Sequence, residues 1–118
     1  MKIGRKFQVG MALIELIDFF EKDEDFVEGT VMIKRAKEIG ATFRSETIKR
    51  LIKCRDRFPK PKEVENVDIV LVGRRAKRFG DRGIEVISYL HGNGDNWVVG
   101  LGGTEYDWNT RARLARLC

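Results

Sequence analysis

The sequence predicts an α+β protein in which an N-terminal helical unit is followed by a small antiparallel sheet and a C-terminal helix. Between about residues 9 and 58, apolar side chains recur at spacings of three and four, which is typical of helices. Between about residues 66 and 101, β-branched residues alternate with turn signals. A chain of 118 residues is within the size range of one domain, so we expect residues 1–118 to fold as a unit.

The first predicted helix spans residues 9–22. Glu15, Asp18 and Lys22 form a polar stripe at spacings of three and four, and apolar residues fill most of the remaining positions. This pattern indicates a helix that is buried over a wide face.

Two further helices are expected before residue 58. Thr30 can cap a helix over residues 31–40, which Gly40 would end. The next helix covers about residues 44–57, and Pro59 prevents it from continuing. Its segment "RSETIKRLIKCRDRFPKP" carries seven lysines and arginines in eighteen positions, so one side of this helix is strongly basic.

Three antiparallel strands are expected near residues 66–72, 84–90 and 96–101, because these segments are rich in β-branched residues. The turn signal "GNGD" places the second and third strands in a hairpin. A helix over residues 83–91, capped by Asp81, is the alternative, but the β-branched residues favour the strand.

The C-terminal segment "TEYDWNTRARLARLC" predicts a helix over about residues 105–117. Thr104 is a suitable cap, acidic residues occupy the first turn, and arginines follow. That order of charges suits the helix dipole without any binding role.

Charge is distributed unevenly along the chain. Residues 11–30 hold seven acids and one base, a net charge of −6. Residues 31–62 hold eleven bases and three acids, a net charge of +8, and residues 74–82 hold five bases and one acid, a net charge of +4. Two separate basic segments of this kind indicate a polyanionic partner.

Two helices joined by a short turn that contains glycine, with a basic second helix, are typical of a helix-turn-helix. Such a unit places its second helix in the major groove of DNA. We expect base contacts from Thr47, Arg50 and Lys53, and Glu46 is a further candidate. Nucleic-acid contacts, mostly to phosphates, are expected from the helix start and the remaining bases: Arg44, Ser45, Lys49, Arg55 and Arg57. The alternative is a surface helix whose charges are only solvated.

The segment "AKEIGATFRSETIKRLIKCRDRFPKP", residues 36–61, resembles the DNA-binding segment of excisionases and related MerR-like regulators. The resemblance rests on a first helix that ends at Gly40, a second helix that opens with Arg44 and Ser45, and a Phe-Pro-x-Pro exit. It implies a recognition helix centred on Thr47, Arg50 and Lys53. It also implies a β-hairpin wing whose tip would carry four bases: Arg74, Arg75, Lys77 and Arg78.

The function expected from these features is binding of double-stranded DNA by a small, non-catalytic regulator or recombination accessory protein, of a type that phages encode. We expect no enzymatic activity, no cofactor and no metal. One alternative is a mobile-element protein that binds and inhibits a host protein or a nucleoprotein complex. Another is an RNA-binding protein that uses its β region. A host or phage protein and a second copy of the chain are further candidate partners.

Other chemistries are less favoured by the sequence. Three carboxylates could be imagined as metal ligands of a nuclease: Asp68, Glu85 and Asp95. Three aromatic residues could stack on unpaired bases: Trp97, Tyr106 and Trp108. We expect the former to be solvated and the latter to be packing residues. Two cysteines and one histidine are too few for a four-ligand zinc site.

No apolar run reaches the roughly 18 residues of a membrane span, because Glu15 and Asp18 interrupt the longest one. The N-terminal segment lacks the apolar core of a signal peptide. We therefore expect a cytoplasmic protein without a membrane partner.

Overall fold

The computed structural model describes residues 2–62, 64, 66–79 and 83–118. It contains nine strands, two α-helices and one short 3₁₀ helix at Arg55–Arg57. In chain order the strands and α-helices are β1 (Lys2–Val9), β2 (Ala12–Asp18), β3 (Phe26–Glu28), α1 (Gly29–Glu38), α2 (Ser45–Lys53), β4 (Asp68–Leu71), β5 (Lys77–Phe79), β6 (Ile84–Asn93), β7 (Asn96–Gly103), β8 (Asp107–Asn109) and β9 (Ala112–Leu117).

Seven of the strands form one mixed sheet, in the order β1-β2-β9-β4-β6, and β6 also pairs with β5 and β7. Only β4 and β9 run parallel, and the other pairs are antiparallel. The remaining strands, β3 and β8, form a separate two-stranded sheet. The prediction of a small antiparallel sheet is therefore wrong, because β4, β6 and β7 belong to a seven-stranded mixed sheet that also includes both ends of the chain.

The large sheet is covered on both faces. Along β4, Ile69 and Leu71 belong to one core cluster, whereas Val70 belongs to the other. Because side chains of a strand alternate between the two faces, these clusters lie on opposite sides of the sheet. Leu51 of α2 packs in the first cluster and Met32 of α1 in the second.

The predicted helix over residues 9–22 is wrong, because this segment forms the β1–β2 hairpin. Gly10, at φ 62°, and Met11 make its two-residue turn, where Val9 pairs with Ala12. Ile14 and Leu16 of β2 belong to one core cluster and Ile17 belongs to the other, so apolar residues on both of its faces are buried. A short apolar run of this kind fits a buried strand as well as a buried helix.

The predicted C-terminal helix over about residues 105–117 is also wrong. The segment forms β8, which pairs with β3, and β9, which lies between β2 and β4. Alanine, leucine and arginine favour helices, but burial on both faces of a central strand overrides that preference. The guanidinium groups of β9 find acceptors nearby, and Arg113 donates to the carbonyl oxygen of Thr110 over 2.6 Å.

The helix-turn-helix prediction fails because the sheet separates α1 from α2. Met32 of α1 and Leu51 of α2 lie in the clusters on opposite faces. The connection crosses beside the end of β4, where the Phe43 N–H donates to the Val72 carbonyl over 2.9 Å and the Phe43 carbonyl accepts from the Arg74 N–H over 2.8 Å. In a helix-turn-helix the two helices form one unit around a short turn. The expected α+β fold with an N-terminal helical unit is thus corrected to a mostly β fold.

Several individual elements agree with the sequence-based predictions. The helix α2 lies within the segment predicted as the third helix. The helix α1 overlaps the second predicted helix but begins earlier, at Gly29, so Thr30 lies inside it and does not cap it. The three predicted strands correspond to β4, β6 and β7, and the last two form the expected hairpin. Residues 84–91 are strand, which excludes the helical alternative, while its cap Asp81 lies outside the described residues. Lys77 and Arg78, predicted at the tip of a wing, lie on β5 instead.

Two glycines of β7 make room for aromatic rings. A Cβ atom at Gly100 would collide with Tyr89, and one at Gly102 would collide with Trp108. The two rings contact each other edge to face, with their centroids 5.3 Å apart. The stretch "NWVVGLGG" therefore carries glycines because rings lie across the backbone of the strand.

No helix in the described part of the chain is long and apolar enough to span a membrane.

Candidate functional site

A cavity of about 780 Å³ lies beside α2. It lies along the edge of β6 at which the partner strand changes from β4 to β5. Leu71 of β4 pairs with Ser88, Lys77 of β5 pairs with Val86, and the chain between β4 and β5 leaves that edge. The start of α2 forms the opposite wall. We call this cavity and its rim the cleft.

Charged residues of the cleft are mostly cationic. Its lining includes six bases and two acids, a net charge of +4: Lys37, Arg44, Lys49, Arg74, Arg75 and Lys77, with Glu46 and Glu85. The bases come from α1, the start of α2, the β4–β5 connection and β5, and all six are exposed. The fold thus concentrates the positive charge of two distant sequence segments around one opening.

Three arginines at the cleft have no acceptor in the described part of the protein. Arg44, Arg74 and Arg75 make no side-chain hydrogen bond and no ion pair there. Elsewhere, Arg35 is bound to Glu24 over 2.6 Å, and Arg55 donates to the Trp97 carbonyl over 3.1 Å. The guanidinium groups of Arg44, Arg74 and Arg75 are exposed, so their donors can bind a ligand.

The interior of the cleft is apolar with a few hydroxyl groups. Its lining includes six apolar residues from α2, the sheet and the α1–α2 connection: Phe43, Ile48, Ile52, Leu71, Val86 and Ile87. Ser88 and Thr104 also line it, with only 3% and 6% of their surface exposed. The Lys77 ammonium lies 3.5 Å from the Ser88 hydroxyl, at the outer limit of a hydrogen bond. A ligand that enters would meet a dry floor under a basic rim.

The beginning of α2 faces the same opening, since Ser45 and Glu46 both line it. Arg44 occupies the position before the helix, and no side chain caps the first turn. The uncapped N–H groups of a helix start attract anions, which adds to the potential of the basic side chains.

The structure brings together about half of the residues predicted to bind nucleic acid. Seven of them line the cleft: Arg44, Ser45, Glu46, Lys49, Arg74, Arg75 and Lys77. The other six lie outside its lining: Thr47, Arg50, Lys53, Arg55, Arg57 and Arg78. Arg78 lies 3.8 Å from Glu85, and Arg57 lies beside the β1–β2 turn at Gly10. Arg50 and Lys53 are exposed on the outer side of α2.

Sequence reasoning missed Lys37, Ser88 and Thr104. Each comes from an element other than α2 and the β4–β5 connection, so no local pattern links it to the basic segments. Every second side chain of a strand points to the same face of the sheet. The residues two positions before and two positions after Ser88 on β6 point inward, so Ser88 points inward as well. This alternation was the signal in the sequence that could have identified Ser88.

The other candidate sites are dispersed. Asp68 is bonded to His91 over 2.7 Å, and Asp95 pairs with Lys62 over 3.2 Å. Among the described residues no group of three potential ligands could hold a metal ion. Trp97 is buried and donates to the Pro59 carbonyl over 2.8 Å. Of the three aromatic residues considered for stacking, Trp108 is also buried, and Tyr106 is exposed.

Comparison with protein-family models, curated proteins and solved structures gave no match. The resemblance of residues 36–61 to excisionases and MerR-like regulators therefore stays a prediction.

Proposed function

We propose that this protein binds nucleic acid by contacting its phosphates with the rim of the cleft, and that it acts without catalysis. One observation carries the proposal. Cations from two distant sequence segments, including Arg44, Arg74 and Arg75, surround a single opening and have no acceptor in the described protein. Neutralising phosphates with such groups releases counterions, and this is the main source of sequence-independent affinity for nucleic acids.

The geometry favours phosphate over carboxylate as the target. Arg74 and Arg75 are adjacent in the chain, and Arg44 lies at the start of α2 across the cavity. Planar guanidinium groups bind phosphate oxygens in pairs, and an uncapped helix start adds backbone donors. A chain of phosphates can satisfy both walls at once, which an isolated carboxylate cannot.

Duplex recognition by a helix-turn-helix is not part of the proposal, because α1 and α2 lie on opposite faces of the sheet. Phosphate contacts need no such unit, since they position a nucleic acid without identifying its bases. A regulatory or recombination role stays a prediction from the sequence.

The test is the affinity of the protein for fluorescent 16-nucleotide strands of mixed sequence, measured by anisotropy. We expect Arg74→Ala/Arg75→Ala to weaken binding about tenfold in low salt, since an exposed ion pair contributes roughly 0.7 kcal/mol and two are removed. Lys2→Ala/Lys22→Ala is the matched control, because it removes the same charge from exposed positions outside the cleft lining. If both variants lose the same affinity for the strand, the loss is explained by net charge alone, and a role for the cleft is refuted.

A further inference from the structure

The cleft is built unlike a surface that only tracks phosphates. Its volume of about 780 Å³ is within the range of roughly 300–1,000 Å³ of pockets that bury a small ligand. Its floor is apolar, with contributions from Ile48, Leu71 and Val86. Phosphates need neither a cavity nor an apolar surface, so the floor suits a ligand that also has an uncharged, apolar part.

Buried hydroxyl groups give this floor a polar edge. Ser88 is 97% buried, from its exposed fraction of 3%, and its described side-chain partner is the Lys77 ammonium at 3.5 Å. A hydroxyl has one donor and two acceptor sites, so such a long contact leaves most of its bonding capacity for a ligand. Thr104, Glu46 and Glu85 also line the cavity and add acceptors at its margin.

We propose that the cleft takes an unpaired nucleotide of a single-stranded nucleic acid. The base lies on the apolar floor, and its edge bonds to the Ser88 hydroxyl and the Lys77 ammonium. The flanking phosphates lie on Arg44, Arg74 and Arg75. This inference rests on the proposed function and makes it more specific, since unpaired bases present both their faces and their bonding edges to a protein.

A base within a duplex cannot make these contacts. Its faces are covered by its neighbours in the stack, and its pairing edge is occupied. An isolated nucleotide fits less well than a strand, because the rim cations come from four different parts of the fold and its phosphates reach only one wall. The inference therefore predicts preference for a strand over both a duplex and a mononucleotide.

The experiment compares three fluorescent 12-mers by anisotropy: a single strand, its duplex, and a strand of abasic sugars with the same number of phosphates. A base that buries about 60 Å² of apolar surface gains roughly tenfold in affinity. We therefore expect the intact strand to bind about tenfold more tightly than the abasic strand or the duplex.

The outcomes separate this inference from the proposed function. Equal binding of all three 12-mers overturns the nucleotide site and leaves phosphate binding intact. Binding of none of them overturns both. Displacement of the strand by micromolar adenosine or cytidine monophosphate shows that the ligand is a free nucleotide and overturns the strand assignment.

A cavity-filling variant tests the location. Val86→Phe puts a ring into the cleft, whereas Val98→Phe makes the same change on β7 outside the cavity lining. We expect Val86→Phe to abolish the preference for the intact over the abasic strand, while Val98→Phe keeps it. Ala76→Phe, at an exposed lining position, gives a second version with little risk to the fold. If both cleft variants keep the tenfold preference, the base does not enter this cavity.

Discussion

Loss of the Arg116 side chain should destabilise the protein strongly, because it leaves a buried carboxylate without its main partner. Glu15 is 4% exposed on β2, and the Arg116 guanidinium binds it through two nitrogens, with the Nε–Oε1 distance at 2.5 Å. Another nitrogen of the same group donates to the Ile39 carbonyl beyond the end of α1 over 3.0 Å. One side chain thus joins β9, β2 and α1.

The expected cost of Arg116→Met is about 3 kcal/mol. Removing one partner of a buried pair costs roughly 3–5 kcal/mol, and the lower end applies because Lys6 remains 3.9 Å from the Glu15 carboxylate. For a domain of this size the melting temperature should fall by about 12 °C. Urea denaturation monitored by tryptophan fluorescence gives the free energy of unfolding directly.

Two further variants show whether the ion pair is the cause. Arg113→Met removes a neighbouring arginine of β9 that bonds only to carbonyl oxygens of its own turn, so its cost should stay below about 1 kcal/mol. Glu15→Gln/Arg116→Met also removes the buried charge that Arg116→Met leaves unpaired. Its free energy of unfolding should therefore be about 1–2 kcal/mol higher than that of Arg116→Met alone. A double variant as unstable as the sum of its single changes would show that the two side chains are not coupled, and the reasoning would fail.

Two other predictions concern stability at defined positions. Hydrogen bonds from the Arg35 side chain and, secondarily, from the Glu21 backbone lower the pKa of Glu24 from 4.5 to about 2. Because folding lowers this pKa, its contribution to stability is complete above about pH 4.5 and is lost as the pH falls through about 2. An NMR titration should find the Glu24 pKa near 2 and higher in Arg35→Gln, where the Glu21 backbone hydrogen bond still lowers it, and a value unchanged by the substitution would refute the assignment. Gly102→Ala should lower the free energy of unfolding by about 2 kcal/mol, because the added Cβ atom would collide with Trp108. An unaltered melting temperature would show that the Trp108 ring can move aside without cost.

The sequence was sufficient for elements that carry a one-sided pattern. Segment 45–53 has apolar residues on one side and bases on the other, and it forms α2. It was insufficient at β2, where Ile14, Leu16 and Ile17 are all buried because helices and strands cover both faces. Such a segment shows neither the alternation of apolar and polar residues that indicates a half-buried strand nor the helical spacing of three and four. Strand and helix therefore cannot be distinguished from the segment alone, without the partner strands. The helix-forming residues of β9 were misleading for the same reason.

The candidate site was predictable in charge but not in shape. The basic residues at 44–49 and 74–77 are visible as charge runs, and the structure places them around one cavity. That they meet depends on the crossing at Phe43, which joins the α1–α2 connection to the end of β4. Pairings between segments so distant in sequence depend on the whole sheet. The cavity of the cleft forms where β6 changes its partner strand from β4 to β5.

A salt titration tests the central claim, binding of phosphates at the rim of the cleft, most directly. Five exposed cations of the cleft lining have no acceptor in the described protein: Lys37, Arg44, Lys49, Arg74 and Arg75. If each neutralises one phosphate of a single strand, log affinity should fall with log salt concentration at a slope of about −3.5.

The same titration of Arg74→Ala/Arg75→Ala should give a slope of about −2, because two contacts are lost at roughly 0.7 each. Lys2→Ala/Lys22→Ala should keep the parent slope. A parent slope near zero, or a slope that the cleft substitutions leave unchanged, would contradict phosphate binding at the rim and favour a protein as the partner of this basic surface.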